Sequence, residues 1–283
     1  MKKILLTGFS GYLGSNFLNI YKDKYQFEKF SLLNQKLDDL KIDKIDVVLH
    51  CAALVHQKIE LDYEQYYDIN VKYPLKLAKL AKENGVKQFV FISTIAIYGE
   101  DKEKIDDNTS FNPLTPYGKS KLEAENELMK LNDDNFLISI IRPPMVYGQN
   151  APGNIDSLIK LVKKIPIIPL GGINNKRTFV SIQNLCHTID EIIIQKQNGI
   201  FLASDDKPLS TTRLIELIAK NLNKKIYLVK IPFFESLLKA VKPSFHKRLY
   251  GSLEVDNSIT KEKLNLQNRY SVEDGIKLMI NGE

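Results

Sequence analysis

The chain of 283 residues has no tryptophan and only two cysteines, Cys51 and Cys186. Two cysteines cannot form a disulfide framework and neither stands at metal-ligand spacing, so we expect no metal site and a reducing compartment, the cytoplasm. No apolar run in the sequence approaches the roughly 18 to 20 residues that span a bilayer. The apolar stretch near the N-terminus stops at Thr7 and Gly8, which predicts a first β-strand and not a signal peptide.

The surplus of one charge sign is also small. Lysine and arginine number 40 against 34 aspartate and glutamate residues, a formal net charge of +6. We interpret this charge as spread along the chain without a long basic block, which argues against nucleic-acid binding and suits a phosphate-bearing ligand. The hydrophobic content of 43% is that of a globular protein, and the length suits one large domain or two lobes.

The first half of the chain alternates short apolar runs with longer stretches of helical spacing. This alternation predicts an α/β fold with a Rossmann-type doubly wound parallel sheet. The predicted strands lie at residues 3–7, 27–32, 46–51, 88–93 and 137–142, and the predicted helices at residues 11–21, 66–84 and 116–131.

Prolines and glycines become frequent after Pro143, which indicates a change in organisation. The predicted division is a Rossmann domain at residues 1–165, to which residues 176–203 return, and a smaller C-terminal substrate-binding lobe, mainly at residues 166–283. Within these segments we predict strands at 179–182 and 200–203 and helices at 183–195 and 211–222.

The segment that joins the first predicted strand to the first predicted helix is rich in glycine. Gly8 permits a tight turn, Gly11 allows the backbone to approach a pyrophosphate, and Gly14 lets the helix pack closely on the strand. An ordinary strand-to-helix turn is the alternative, and the β/α context argues against it. The predicted dinucleotide-binding residues are Thr7, Gly8, Ser10, Gly11, Tyr12, Leu13 and Gly14.

The choice of dinucleotide depends on the end of the second predicted strand, where an acidic residue normally binds the adenosine ribose of NAD. The sequence has no carboxylate at this point. Asn34 or Lys36 could accept a 2′-phosphate, while Asp38 or Asp39 leaves NAD open. The cofactor is therefore predicted to be NAD or NADP.

Tyr117 and Lys121 stand four residues apart, just after a helix start that is marked by Pro116. Residues at this spacing share one face of a helix, so the ammonium of Lys121 is expected to favour the ionised form of the Tyr117 phenol. A phenol tuned in this way transfers protons near neutral pH. The pair alone is equally compatible with an exposed helix, and the other motifs decide between the two interpretations.

The glycine loop, the Tyr117 to Lys121 motif and the strand end at residues 91–99 together resemble the extended short-chain dehydrogenase/reductases, the nucleotide-sugar epimerase/dehydratase group. The resemblance continues at residues 50–53, at Asn70 and at residues 142–148. It implies a catalytic triad of Thr94, Tyr117 and Lys121, with Lys121 also on the nicotinamide ribose. It further implies that Ala52, Ala53 and Pro143 contact the cofactor and that Ser93 and the triad residues Thr94 and Tyr117 contact the substrate.

Sugar dehydratases of this family carry an Asp-Glu pair directly after the triad threonine, where this chain has Ile95 and Ala96. Neither side chain transfers protons, so dehydration is disfavoured. Residues 53–56, 152–154, 166–169, 174–177 and 248–258 look most like bacterial enzymes that reduce UDP-4-keto-6-deoxy-N-acetylhexosamines for surface polysaccharides.

The main expectation from this resemblance is therefore reduction at C4 of a UDP-sugar. A UDP-sugar 4-epimerase, of the UDP-glucose or UDP-GlcNAc type, is the alternative. A non-catalytic NAD(P)-binding sensor or scaffold is a more remote one, and the intact triad argues against it. Homodimers are common among relatives, so a homodimer is a further possibility.

Three residues of the C-terminal half are candidate substrate ligands. The resemblance places Arg177 on the UDP diphosphate, where a guanidinium suits bidentate contact. Arg248 is a second candidate and Asn154 a third, although surface charge explains Arg248 equally well and turn chemistry explains Asn154.

His50 and His56 flank an apolar patch and are interpreted as structural or cofactor-side packing residues. The Cys186-His187 pair is expected on a helix without a third partner, which disfavours nucleophilic or metal chemistry. Residues 233–242, continuing to 246–248, are apolar on one side and basic on the other. We interpret this segment as a lid over the sugar pocket, with contact to an anionic membrane as the less favoured alternative.

Overall fold

The structure is a computed structural model that describes residues 1–31, 35–55, 61–99 and 101–282. The side chains of Asp38 and Asn154 are not among the described parts. The candidates Asn34 and His56 lie outside the described residues.

The described residues form strands and helices in alternation along the first half of the chain. The strands are β1 (Lys3–Thr7), β2 (Gln26–Phe30), β3 (Val47–His50), β4 (Gln88–Ile92), β5 (Lys104–Ile105), β6 (Leu137–Arg142), β7 (Met145–Tyr147), β8 (Ile167–Ile168), β9 (Phe179–Ser181), β10 (Gly199–Leu202), β11 (Tyr227–Leu228) and β12 (Glu254–Val255). The α-helices are α1 (Tyr12–Tyr21), α2 (Tyr63–Tyr67), α3 (Tyr73–Glu83), α4 (Pro116–Met129), α5 (Asn154–Lys164), α6 (Ile182–Gln195), α7 (Thr211–Asn221), α8 (Phe234–Val241), α9 (Pro243–Tyr250), α10 (Ser258–Leu264) and α11 (Val272–Asn281).

Six strands form one parallel sheet in the order β2-β1-β3-β4-β6-β10. The predicted Rossmann-type parallel sheet is thus confirmed. The strand order reverses between β1 and β3, where the register sets Thr7 opposite His50. In open α/β sheets the crevice outside the carboxyl ends of the strands at such a reversal is where ligands bind. The fold therefore places a binding crevice next to the glycine loop.

Both faces of the sheet are covered by apolar helix surfaces. On one face α1 and α6 supply Phe17, Leu185 and Ile189 to a buried core. On the other face Leu77 of α3 and Leu128 of α4 belong to the core that includes β4. Because α4 packs directly on the sheet, the helix that carries Tyr117 and Lys121 is held rigidly against it.

A third apolar core lies in the C-terminal half, where Ile215 of α7 and Ile276 of α11 are buried. Short parallel pairs, β7 with β9 and β8 with β11, border this core. Strand β10 pairs with β6, so residues 199–202 belong to the central sheet.

Most predicted bounds differ from the structure by one or two residues, and two elements show the physical reasons or the largest differences. The second strand spans Gln26–Phe30, one residue earlier than predicted at its start and two at its end. The helix predicted at residues 66–84 begins at Tyr63 and contains a π-helical turn, Asp68–Lys72. Pro74 at the start of α3 has no N–H for a regular backbone bond, and a wider turn accommodates its ring.

Candidate active site

The glycine loop follows β1 and leads into α1, as predicted. Gly8 has φ +67°, and a Cβ on it would lie 2.6 Å from the backbone nitrogen of Ala52. The Gly11 N–H donates to the Gly8 carbonyl at 2.9 Å, and a Cβ on Gly14 would collide with that same carbonyl. The spacing of the glycines is therefore enforced by close backbone approach.

The N-terminus of α1 suits a pyrophosphate. No side chain caps it, and its first turn carries no acidic residue. Its first backbone N–H groups are therefore available to bind an anion, which the positive end of the helix dipole attracts. These residues fit the phosphates of NAD or NADP, with Ser10 and Leu13 on either side of the helix start and Tyr12 as its first residue.

Three further residues predicted to contact the cofactor lie at the same edge of the sheet. The Ala52 N–H donates to the hydroxyl of Thr7 at 3.3 Å, and Ala53 follows it in the segment after β3. The carbonyl of Pro143 accepts the Ile95 N–H at 3.2 Å, after the end of β6. The structure thus brings Thr7 and Ala52 into direct contact and places Pro143 next to the turn that follows Thr94.

The three triad residues meet where β4 ends against α4. Thr94 follows β4 and caps a 3-10 turn, Ile95–Tyr98, where its hydroxyl accepts the Ala96 N–H at 3.1 Å. Tyr117 and Lys121 lie in the first two turns of α4, which Thr115 caps by accepting the Gly118 N–H. The side chains of Thr94 and Tyr117 are close enough for the Thr94 hydroxyl to lower the pKa of the phenol.

Burial dominates the ionisation of both titratable members of the triad. It raises the pKa of Tyr117 to about 12, against the hydrogen bond from Thr94 that favours the phenolate. It lowers the pKa of Lys121 to about 7, against the negative charge of Glu125. The Lys121 ammonium lies 4.1 Å from the ring centroid of Phe91, a cation–π distance.

The expectation that Lys121 lowers the pKa of the Tyr117 phenol toward neutral pH is wrong as far as the protein's own side chains determine that pKa. The groups that shift the pKa of Tyr117 are its burial, Thr94 and Tyr66, while the Lys121 ammonium faces the ring of Phe91. Desolvation disfavours the phenolate more than its hydrogen bond favours it. Tyr117 is therefore held protonated and able to donate.

A buried polar network supports this arrangement. Glu125, one helical turn after Lys121, accepts hydrogen bonds from Ser93 and from Arg142, whose guanidinium also donates to Tyr98 at 2.6 Å. Ser93, predicted to contact substrate, instead directs its hydroxyl at Glu125. Sequence reasoning missed Glu125, although its position four residues after Lys121 places it on the same face of α4.

Asn70 in the π-helical turn ties a second loop to α4. Its side-chain oxygen accepts the Leu54 N–H at 2.8 Å, and its side-chain nitrogen donates to the Ser120 hydroxyl at 3.0 Å. The family resemblance named Asn70 without a role. The structure shows that it connects the segment after β3 to the helix that carries the triad.

A large apolar cavity of about 530 Å³ lies in the C-terminal half, between α5, α8 and α9. Arg177 and Arg248, the predicted diphosphate ligands, both line it, and their guanidinium groups are the charges in an otherwise apolar wall. An Arg177 N–H also donates to the Gly251 carbonyl at 3.2 Å. Met145 also lines the cavity, so the cavity reaches β7, the strand that follows β6.

The cavity lining does not include Thr94, Tyr117 or Lys121. Asn154 is the first residue of α5, which contributes Ile155 and Leu158 to the cavity wall. The predicted substrate residues thus fall into two groups, one at the triad and one at the cavity.

A sequence profile described as the NAD dependent epimerase/dehydratase family matches residues 4–202. The chain belongs to this family. It is 34% identical to a UDP-glucose 4-epimerase from Vibrio cholerae over 309 aligned positions, which cover 98% of this chain and 94% of that protein. It is 26% identical to N-acetyl-alpha-D-glucosaminyl-diphospho-ditrans,octacis-undecaprenol 4-epimerase from Escherichia coli O157:H7, covering 81% and 75% of the two chains.

Among solved structures, UDP-N-acetylglucosamine 4-epimerase from Bacillus cereus superposes with a TM-score of 0.79 at 20% identity, covering 99% of this chain and 98% of that one. This likeness confirms the fold. Family membership makes the protein an NAD-dependent enzyme of the nucleotide-sugar epimerase/dehydratase type, in agreement with the prediction of NAD or NADP. No helix among the described residues is both long and apolar enough to cross a membrane.

Proposed function

We propose that the protein is a UDP-sugar 4-epimerase. The observation that carries this proposal is the position of Thr94 next to the Tyr117 phenol, with Lys121 one turn further along α4 and no acid pair after Thr94. Such a site exchanges hydride and proton at one carbon and has no group for eliminating water. The sequence analysis favoured reduction at C4 and kept epimerisation as the alternative. Two similar proteins are named as 4-epimerases, which supports the alternative.

Tyr117, Thr94 and Lys121 would each have a separate role in the reaction at C4 of the sugar. Bound NAD would supply the hydride acceptor and donor. Tyr117 donates its proton to the C4 oxygen during reduction; in its phenolate form, which the positive charge of bound NAD would favour, it takes the C4 hydroxyl proton during oxidation. Thr94 donates a hydrogen bond to the phenolic oxygen, which stabilises the phenolate form that oxidation requires. Lys121 is buried one helical turn after Tyr117 and would bind the nicotinamide ribose, as the family resemblance implies.

The substrate class we propose is a UDP-sugar, as in the Vibrio relative. Two arginines in an apolar cavity support it, because a nucleoside diphosphate presents phosphates to guanidinium groups and a flat base to apolar side chains. Leu158 and Phe234 are among the apolar residues of that wall.

Incubation of the purified protein with UDP-glucose or UDP-GlcNAc, without added cofactor, tests the proposal. We expect conversion to the C4 epimer, read by NMR of the product, because epimerisation returns the hydride to the sugar and consumes no NAD. Stoichiometric loss of NAD(P)H absorbance with a UDP-4-keto-6-deoxy sugar, with no epimer formed from either UDP-sugar, would identify a 4-reductase instead.

Replacing Arg177 with methionine tests the diphosphate contact. We expect KM for the UDP-sugar to rise by about 10- to 100-fold with little change in kcat, as when a hydrogen bond to a charged group is lost. Arg213→Met removes an exposed arginine that pairs with Glu216 on α7, and it should leave KM unchanged. The thermal midpoint of both variants should be measured, since Arg177 also binds the Gly251 carbonyl.

A further inference from the structure

An exposed row of large apolar side chains follows α8 and continues onto α9. Phe233, Leu237 and Val241 recur every four residues, and their exposed fractions are 87%, 61% and 66%. Phe245 of α9, 49% exposed, extends the row. Residues four apart share one helix face, so we call these four residues the apolar row. Isolated exposed apolar residues are ordinary, whereas a contiguous row indicates an interaction surface.

The backbone at the start of the row is strained. Phe233 adopts φ +62°, in the left-handed region that bulky residues rarely occupy, and its side chain is the most exposed large apolar one among the described residues. Packing inside the protein therefore does not offset the energetic cost of this backbone conformation. A contact between Phe233 and a partner outside the described residues would offset it.

The positive charge of the protein is concentrated around the apolar row. Residues 224–248 contain seven basic residues and one acidic residue, a net +6 that equals the formal net charge of the whole chain. No long basic block is present, as predicted, but the net charge is concentrated in this segment and is not spread along the chain. Lys230, Lys239 and Lys242 are exposed; Lys230 precedes the row in the sequence, and Lys239 and Lys242 lie between its members.

The inner side of the same helices is already occupied. Phe234 of α8 and Leu249 of α9 line the large cavity, which agrees with the predicted lid. The lid role would explain these inward residues and Phe245, which also lines the cavity, whereas Phe233, Leu237 and Val241 are exposed and are not part of the cavity lining.

We propose that the apolar row and its flanking lysines dock on the surface of an anionic phospholipid bilayer. A short helix with exposed Phe, Leu and Val and with nearby lysines lies in the lipid interface, where apolar burial and attraction to anionic headgroups add together. A second copy of the chain fits less well, because a two-fold interface at this row would set one +6 segment against another. Because Phe245 also lines the large cavity, docking there would bring that part of the cavity wall next to the bilayer.

Flotation of the full-length protein with lipid vesicles tests the proposal, which does not depend on the substrate. We expect the protein to float with vesicles containing phosphatidylglycerol and not with phosphatidylcholine alone, and to be released by high salt. Leu237→Ser with Val241→Ser should abolish flotation. Lys230→Gln and Lys242→Gln should each weaken the partition coefficient by about fivefold, the effect of one basic residue at an anionic surface.

Matched substitutions outside this surface serve as controls. Ile259→Ser removes an isoleucine of α10 that is as exposed as the row, and Lys79→Gln removes an exposed lysine of α3. Both should float like the wild type, and the thermal midpoint of all variants should stay close to that of the wild type. The proposal is overturned if the wild type does not float, or if the control substitutions weaken flotation equally. A concentration-dependent dimer that Leu237→Ser dissociates, seen by light scattering, would assign the row to self-association and also overturn it.

Discussion

Arg142 binds the carboxylate of Glu125 through two guanidinium nitrogens, Nε at 3.1 Å and Nη2 at 2.5 Å, and both side chains are almost fully buried. The pair joins the end of β6 to α4, and through Ser93 and Tyr98 it reaches both sides of Thr94. We therefore expect the geometry of the predicted triad to depend on this pair, which contacts none of the three triad side chains through a hydrogen bond among the described residues.

Removing one partner of this pair should be strongly destabilising. Glu125→Gln leaves the Arg142 charge buried without compensation, and we expect a loss of about 3 kcal/mol or more in the free energy of unfolding, measured in urea. The double replacement Glu125→Leu with Arg142→Met should recover most of that loss. Asp156→Asn breaks the exposed Lys160–Asp156 pair of α5 and should cost at most about 1 kcal/mol. Equal losses in the two single variants would contradict a special role for the buried pair.

Tyr117→Phe should lower kcat by about 100- to 10,000-fold, the usual contribution of general acid–base catalysis. Cofactor binding and the thermal midpoint should stay close to those of the wild type, since only the hydroxyl bonded to Thr94 is lost. Tyr63→Phe, which removes a surface hydroxyl bonded to Glu123, is the control. Unchanged epimerisation in Tyr117→Phe would favour a sensor or scaffold with no catalytic triad.

The sequence predicted the parts of the protein that local pattern controls. The parallel sheet follows from the alternation of apolar runs, and Gly8, Gly11 and Gly14 follow from the backbone conformations they permit. The triad came from the spacing of Tyr117 and Lys121 together with a family resemblance.

What the sequence could not predict depends on tertiary packing. Glu125 and Arg142 are 17 residues apart and meet only because α4 crosses the end of β6. The pKa of Tyr117 is controlled by its burial, which local spacing does not reveal. The positive charge of residues 224–248 was visible as composition, and its significance appears only with the exposure of the apolar row.

Gly8 and Gly85 offer a matched test of the cofactor loop. Both have left-handed backbones, φ +67° and φ +76°, so alanine at either position should cost about 1 kcal/mol of stability from strain. Only at Gly8 would the new Cβ also collide with a neighbour, the nitrogen of Ala52. We expect Gly8→Ala to lose NAD binding, measured by calorimetry, and Gly85→Ala to retain it. Retained binding in Gly8→Ala would contradict the close approach of the two loops.

His50 should make the protein sensitive to acid. Its imidazole is buried between Thr7, whose hydroxyl lies 2.9 Å from Nδ1, and the rings of Phe89 and Phe91. Burial, reinforced by the charge of Lys121, lowers the pKa of His50 to about 3 from its usual 6.5. The folded state therefore binds this proton less readily than the unfolded chain does.

The sign of the effect follows from that difference. The stability that neutral His50 contributes is complete above pH 6.5 and is lost as the pH falls from 6.5 toward 3, at about 1.4 kcal/mol per pH unit. His50→Gln has no such proton to bind. The unfolding free energy of the wild type should therefore fall relative to that of His50→Gln as the pH is lowered. Urea unfolding at a series of pH values measures this gap. A gap that stays constant from pH 7 to pH 4 would mean that His50 is protonated in the folded protein or is not buried as described.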